Sequence, residues 1–506
     1  MRNIFFVSII LMMMSTFIGN AQKIYYTAVE DNEAQQTHFD IIGKINSNIL
    51  IYTGQKNNHT LSVYDMDMKL VQRKNLNSLS DHIIDIDFIN YHQQGWIIYQ
   101  FQENNIVYCK ALSINANGDK IGNPIDIDST EVSSIIKNKI YSLIISDDKQ
   151  KIMLFKINTK KERSSPIKNI ITTLLLDSKM NILQKGSDTL LSDKNHYITN
   201  FSIDNQGNFL FTQLVKQGQE GKISNVYFIT KAAYQDSFYT HNLDIKNFYL
   251  DDIKVKIDNG NKKYIFTSLY AKTRKGNVEG LYTANFDVLK NTTQYINPIR
   301  FNDELRNDAR GDAAAKNAFN DYVLQNIVVK NDGSFIISGE SFYTTSKNTS
   351  FNRWNYLYGY PYYGTPVDFF SWYPYNSYYP WWRTAQLTQF HAENIIILSI
   401  NNQGNLAWSN VIPKIQLYDE TDLPLGYQIV NAGKQLHFLF NQQMGGTTLL
   451  TNNILEPNGQ ITKAQTLHNL DQGRLFMPRY TKQVGAREAI IPCLYNNYLC
   501  FAKIEW

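Results

Sequence analysis

A strand-turn-strand phrase returns along this chain about every 50 to 60 residues, and no single copy can bury its own apolar face. It begins at Tyr64 (YDMDMKLVQRKNL), Ile114 (INANGDKIGNPID), Leu176 (LDSKMNILQKGSD), Phe286 (FDVLKNTTQYINP), Ile400 (INNQGNLAWSNVI) and Leu455 (LEPNGQITKAQTL). In each copy an apolar strand end meets Asp, Asn or Glu, then a short turn often closed by Gly, then a second strand. One supersecondary unit is being copied, and it must stack on its neighbours to be stable.

Successive copies start 50, 62, 110, 114 and 55 residues apart. The interval of 110 is two units, with a degenerate copy expected near Thr230. The interval of 114 holds two segments foreign to the repeat, and without them one ordinary unit remains. Counting forward from Leu455 reaches Trp506 just before a fourth strand is due, so another part of the chain must supply it. Lys23 to Val29 (KIYYTAV) has no neighbour within the first full unit and is the expected donor. Pairing it with the last unit closes a ring and removes two exposed sheet edges.

The other strands carry ordinary β signals. Asn208 to Leu214, Tyr264 to Leu269, Ser334 to Ser338 and Gln435 to Phe440 are rich in aromatic and β-branched residues. Turn clusters at Asp204 to Gly207, Asp258 to Gly260 and Asn331 to Gly333 bound them and fit the first hairpin of a unit, whereas the recurring phrase fits the last. The fold class is therefore all-β: one ring of four-stranded blades, eight by count with seven as the alternative. A run of separate β-sandwiches is the competing architecture.

Met1-Arg2-Asn3, the apolar run Ile4 to Ile18 and the small residues Gly19-Asn20-Ala21 read as a secretory signal peptide over 1–21, leaving 22–506 as the mature ring. No later run is long and apolar enough for a membrane span. The expectation is an exported protein, periplasmic, secreted or associated with the cell surface, and a monomer. A formal net charge of +4 without a concentrated basic stripe speaks against nucleic acid as a partner. If Asn496-Asn497 forms a two-residue hairpin turn, Tyr495 faces Tyr498 and Cys493 faces Cys500. Opposed Cα atoms are then within disulfide range, so an oxidising compartment could join Cys493 to Cys500. Two buried thiols are the alternative, because the two-residue turn makes this a hydrogen-bonded pair, less comfortable for a bridge. Cys109 reads as a core thiol.

The first foreign segment, 302–322 (Asp303 to Tyr322, DELRNDARGDAAAKNAFNDY), predicts a helix. Its row Glu304, Asp308 and Asp312 shares a face at i, i+4, i+8. Gly311 weakens it, and Arg306 and Arg310 can neutralise the row, so it reads as a salt-bridged connector and not as a metal site. The second, 344–390, predicts a loop insertion. Half of the 32 residues from Phe351 to Trp382 are aromatic, and four prolines forbid a helix or central strand there. Trp354, Tyr358, Tyr363, Trp372, Tyr375, Tyr379, Trp381 and Trp382 are the candidate ligand-binding residues. Tyr and Trp present wide rigid faces with a polar handle, suited to a sugar ring or a protein partner. Alternatively the segment packs on the ring or meets a membrane interface.

No catalytic constellation is legible. Nine histidines are scattered without HExxH, and GxSxG, a phosphate loop and CxxC are absent. His391-Ala392-Glu393 is the nearest thing to a catalytic pair. The doublets Asp85 with Asp87, Asp126 with Asp128, and Asp251-Asp252 sit at strand ends, where Asp usually serves turns, although carboxylates from several blades can converge on a central channel. No cofactor is indicated.

The whole mature chain resembles the β-propeller repeat proteins. In export signal and repeat style it is similar to uncharacterised exported propellers of Gram-negative bacteria. The WD dipeptide, the kelch double glycine and the Ser-x-Asp-x-Gly-x-x-Trp box are missing, so no catalytic residues carry over. The expected function is non-catalytic binding or scaffolding, with the aromatic insertion contacting a glycan or a protein. A glycan hydrolase or lyase using channel carboxylates is the alternative, and a structural envelope protein is a third.

Overall fold

The computed structural model describes residues 23–30, 37–55, 58–80, 82–136, 138–160, 166–216, 221–245, 247–311, 314–345, 389–419, 421–444, 447–463 and 473–506. Among them the strands pair in chain order into eight four-stranded antiparallel units, spanning 38–75, 83–131, 141–192, 196–243, 249–300, 322–419, 427–463 and 475–505. The fourth and fifth units share one sheet only through the pair Ile223 and Leu250. The first edge of the eighth unit is split into Leu475–Phe476 and Lys482–Gly485 by a turn that begins at Pro478, which has no N–H to give a ladder. Its fourth strand is Lys23–Tyr26, paired Lys23 to Glu505, Ile24 to Ile504 and Tyr26 to Ala502. Thr27 and Glu30 extend the clasp, their N–H groups donating to the carbonyls of Phe501 and Leu499 at 2.9 and 2.8 Å.

The recurring phrase is the last hairpin of a unit, and its chemistry explains its composition. At Asp65, Asn115, Asp177 and Asn401 the side-chain Oδ1 accepts from the N–H groups two and four residues on. The residue three on takes a positive φ: Met68, Gly118, Met180 and Gly404. That left-handed step is why glycine recurs there, and the two methionines occupy it at some conformational cost. The degenerate copy is present, with Ile223–Lys231 pairing with Tyr239–Leu243 across a longer loop.

First strands touch between the first and second, third and fourth, fourth and fifth, and fifth and sixth units, and Lys482–Gly485 of the eighth unit touches His38–Ile45 of the first. The last strands lie outside, with mostly exposed side chains. Between each unit and the next lies an apolar cluster, seven along the chain. An eighth joins the two ends through Ile41, Ile51, Ile490 and Phe501. Each sheet is covered on both faces only by its neighbours, and the circuit is complete. The protein is a β-propeller.

The 302–322 segment corrects the expected single helix. Among its described residues only Asp303–Ala309 is α-helical, capped by Asn302, whose side chain accepts from the Leu305 N–H. Gly311, at φ +53°, ends it, and Ala315–Asn317 forms a separate 3₁₀ turn. Arg306 is buried and donates to the carbonyls of Phe301, Val278 and Glu279, not to the acidic row. Glu304 and Asp308 face solvent, and Asp312 lies outside the described residues.

Interface packing sets a direct test. Replacing Ile504, fully buried between the seventh and eighth units, by Asp is expected to lower the unfolding free energy by about 4 kcal/mol in urea titrations. Replacing Leu70, 46% exposed on an outer strand, by Asp is expected to change it by less than about 0.5 kcal/mol. Equal effects would contradict the packing.

Candidate functional site

Two regions stand apart from the repeat: an elongated stalk on the sixth unit and a charged axis.

The stalk comes from strands longer than the repeat needs. Phe335–Thr345, Gln389–Ile400 and Leu406–Asp419 run on as a three-stranded ladder whose last pair on the inner hairpin is Thr345 with Gln389. The insertion predicted over 344–390 therefore leaves from this hairpin. All eight candidate aromatic residues, Trp354, Tyr358, Tyr363, Trp372, Tyr375, Tyr379, Trp381 and Trp382, lie outside the described residues.

The stalk has its own small core, Val323, Phe342, Phe390, Ala392 and Leu425, with Tyr418 against it. Below that core Glu340 and Lys414 form a fully buried ion pair at 2.8 Å. Gln416 accepts from Lys414 at 2.9 Å and from the Gly426 N–H, and Gln325 donates to Glu340. Removing one member of such a pair costs about 3–5 kcal/mol, because the other charge stays buried. Helix Asp303–Ala309 braces the stalk from the side. Tyr322 donates to the Ala309 carbonyl at 2.9 Å, and Asn394 to that of Asp308 at 3.4 Å. His391 and Glu393 serve the stalk as well: His391 stacks on Tyr343, ring centroids 4.5 Å apart, and the Tyr343 hydroxyl donates to Glu393 at 2.6 Å.

The three acidic doublets have different fates. Asp126 is exposed and pairs with Lys110, whereas Asp128 is clamped by Lys156 at 2.7 Å and Lys185 at 2.9 Å between the second and third units. Asp251 and Asp252, on the first strand of the fifth unit, pair with Lys222 and Lys254. Asp85 and Asp87 lie on the first strand of the second unit. Asp85 is buried, with Lys139 Nζ 3.7 Å away and the Gln100 amide donating at 3.4 Å. Burial raises its carboxyl against the pull of Lys139. Burial, reinforced by the charge of Asp85 and, from the first unit, Asp40, pushes Asp87 up to about 7. Asp40, which local sequence reasoning missed because it sits one unit away, pairs with Lys482 of the eighth unit at 3.6 Å.

At one end of the axis the first-hairpin turns hold one another. Asn259 donates to Asp147 at 2.8 Å and accepts from the Asn205 N–H at 2.9 Å, linking the third, fourth and fifth units. Lys149 donates to the Asn90 side chain at 2.8 Å, Asn90 donates to the Lys44 carbonyl at 3.2 Å, and Lys44 pairs with Glu488. Burial, with the nearby charge of Lys482, lowers Lys149 to about 8. Beside this belt a pocket of about 610 Å³ has Ile257, Ile327 and Val329 on its wall and Asp147, Lys256 and Lys330 among its polar lining. Among the described residues no cluster of three His, Cys, Asp or Glu is arranged to hold a metal ion, and no helix is long and apolar enough to cross a membrane.

No protein-family model matches the chain, and no curated protein matches it in sequence. Among solved structures it is similar to the WD40 domain of SCAP from fission yeast, at 9% identity and TM-score 0.36, over 93% of this chain and 98% of that one. It is similar to the polysaccharide lyase Uly1 at 11% identity and TM-score 0.41, over 89% and 92% of the two chains. Oligopeptidase B from Leishmania major aligns at 6% identity and TM-score 0.37, over 92% of this chain and 54% of that one. At these values the likenesses say nothing of activity, and the propeller assignment rests on the chain's own sheet pairing and its eight interfaces.

The axis gives a pH signature. Folded Asp87 binds its proton up to about pH 7, whereas the unfolded chain releases it near pH ~4. Stability from that proton is full below about pH 4 and is lost as pH rises through about 7. Asp87→Asn, which mimics the protonated form, is therefore expected to gain roughly 1–3 kcal/mol over the parent between pH 4 and pH 8 in denaturant titrations. Parallel stability curves would contradict the raised carboxyl.

Proposed function

We propose that the protein is an exported, non-catalytic binding or scaffolding propeller whose Tyr- and Trp-rich insertion engages a glycan or a protein partner. The single observation that carries this reading is the stalk. A repeat unit has been lengthened, given a separate core, pinned by the buried Glu340–Lys414 pair and braced by an inserted helix, all at the point from which the aromatic segment departs. A rigid base lowers the ordering cost of presenting side chains to a partner, which raises affinity without new contacts. The composition of the segment suits stacking and anchoring. Export follows from the reading of residues 1–21 as a signal peptide, with Gln22 as the mature amino terminus.

A second reading, a glycan-active enzyme, is favoured by one observation: Asp87, held protonated up to about pH 7, stands near the charge of Asp40 and Asp85, as an acid near a carboxylate must in glycoside cleavage.

The two readings separate in one experiment. Purified protein and a variant in which 351–382 is replaced by a short Gly-Ser bridge are applied to a glycan array and melted. The binding reading expects an unchanged Tm within about 2 °C and loss of bound glycans, because the stalk and ring keep their cores. Unchanged binding would contradict it. Cleavage of an array glycan that Asp87→Asn abolishes and the deletion leaves intact would favour the enzyme.

A further inference from the structure

The hairpin that receives the closing strand carries two facing cysteines. Cys493 and Cys500 face each other across the last hairpin, as the Asn496-Asn497 turn requires. Both turn residues adopt left-handed φ, 50° and 68°, which fixes the two-residue loop and with it the register. A slip by one residue would send the two side chains to opposite faces. The thiols are free, their sulfurs 2.8 Å apart, and both are fully buried against Val430, Leu439 and Leu450 of the seventh unit.

A cation covers them. The Arg474 guanidinium lies over the ring of Tyr26, 4.1 Å from its centroid, and 5.4 Å from that of Tyr495. Tyr26 belongs to the closing strand and Tyr495 to the hairpin, so one side chain touches the clasp and the dithiol together. The hydrogen bond from Cys493, aided by Arg474, holds Cys500 below the ordinary thiol range, while burial pushes Cys493 well above it. A positive charge beside a thiol favours its thiolate, the form that attacks a disulfide once solvent reaches it. Cys109, also buried, instead sits near acidic groups that raise it further, which makes it an internal control.

We propose that Cys493 and Cys500 form a redox-active modification site that closes by exchange with a disulfide oxidant and staples the hairpin onto which the amino-terminal strand docks. The Cys500 thiolate attacks one sulfur of the incoming disulfide, whose S–S bond breaks and releases one thiol. Cys493 then loses its proton and attacks Cys500 Sγ in the mixed disulfide, and the second thiol leaves. Two protons and two electrons pass from the protein dithiol to the oxidant, which departs as two thiols. Because Arg474, Tyr26 and the seventh unit cover the sulfurs, exchange requires the clasp to loosen. Opening of the ring and oxidation state are thereby linked, independently of what the aromatic insertion binds.

The test uses the full mature chain equilibrated with oxidised and reduced glutathione, then acid-quenched, alkylated after unfolding and mapped by mass spectrometry. The expected result is a 2 Da loss, as ~2 hydrogens leave, on the peptide carrying both cysteines, with Cys109 still alkylated. The oxidised protein is expected to melt about 2 °C or more above the reduced one, and Cys493→Ser/Cys500→Ser to lose that redox response. Tyr26→Ala, which removes the ring under Arg474 and loosens the cover over the sulfurs, is expected to speed exchange several-fold, as local opening becomes easier. Full alkylation of both cysteines under excess oxidised glutathione, in the folded protein and after refolding, would overturn the proposal. So would a bond that leaves Tm and exchange rate unmoved.

Discussion

Everything in this protein depends on sheets that are apolar on both faces. A four-stranded antiparallel sheet with one wet face can stand against a single partner, but here the second strands, such as Phe209–Lys216 and Lys263–Ala271, are buried nearly throughout. Each sheet needs two neighbours, so a linear stack would always leave two uncovered faces. Bending the stack until the first unit meets the eighth removes both, and Ile41, Ile51, Ile490 and Phe501 are the side chains that meet. Lending Lys23–Tyr26 to the far end of the chain makes that meeting a hydrogen-bonded one as well.

The closed ring leaves freedom elsewhere. Because the interfaces carry the stability, a unit can be lengthened at one hairpin without disturbing its neighbours, as the sixth has been. The stalk then needs its own means of support, and it has three: a small apolar core, a buried ion pair and a short helix. The axis is different. There the first strands bring carboxylates and ammonium groups from separate units within electrostatic reach, so Asp40, Asp85 and Asp87 share one field although they are far apart in the chain.

Much of the architecture was legible because it is written in local turn chemistry. The Asp or Asn at Asp65, Asn115, Asp177 and Asn401, with the positive-φ residue three on, marks four last hairpins directly, and even the degenerate copy at Thr230 pairs where the period places it. The facing of Cys493 and Cys500 followed from a two-residue loop alone. The helix length did not follow, since Gly311 could be a tolerated interior glycine or a terminator, and its positive φ makes it the latter. Glu340 with Lys414, and Asp40 with Asp87, were invisible for a simpler reason: each pair joins separate strands or units, and no spacing rule links them. The aromatic insertion was evident from composition, yet its contacts lie outside the described residues.

The ring closure is tested most directly by covalent capture of the clasp. Lys23 and Glu505 are paired residues on the closing strand and the last strand. With Lys23→Cys and Glu505→Cys placed in a chain whose three native cysteines are serine, mild oxidation is expected to join the two ends of one folded molecule. The linked product should migrate as a monomer with altered mobility that reduction reverses. Ends that stay unlinked in the folded protein, or that link only between molecules, would contradict a ring closed by its own first strand.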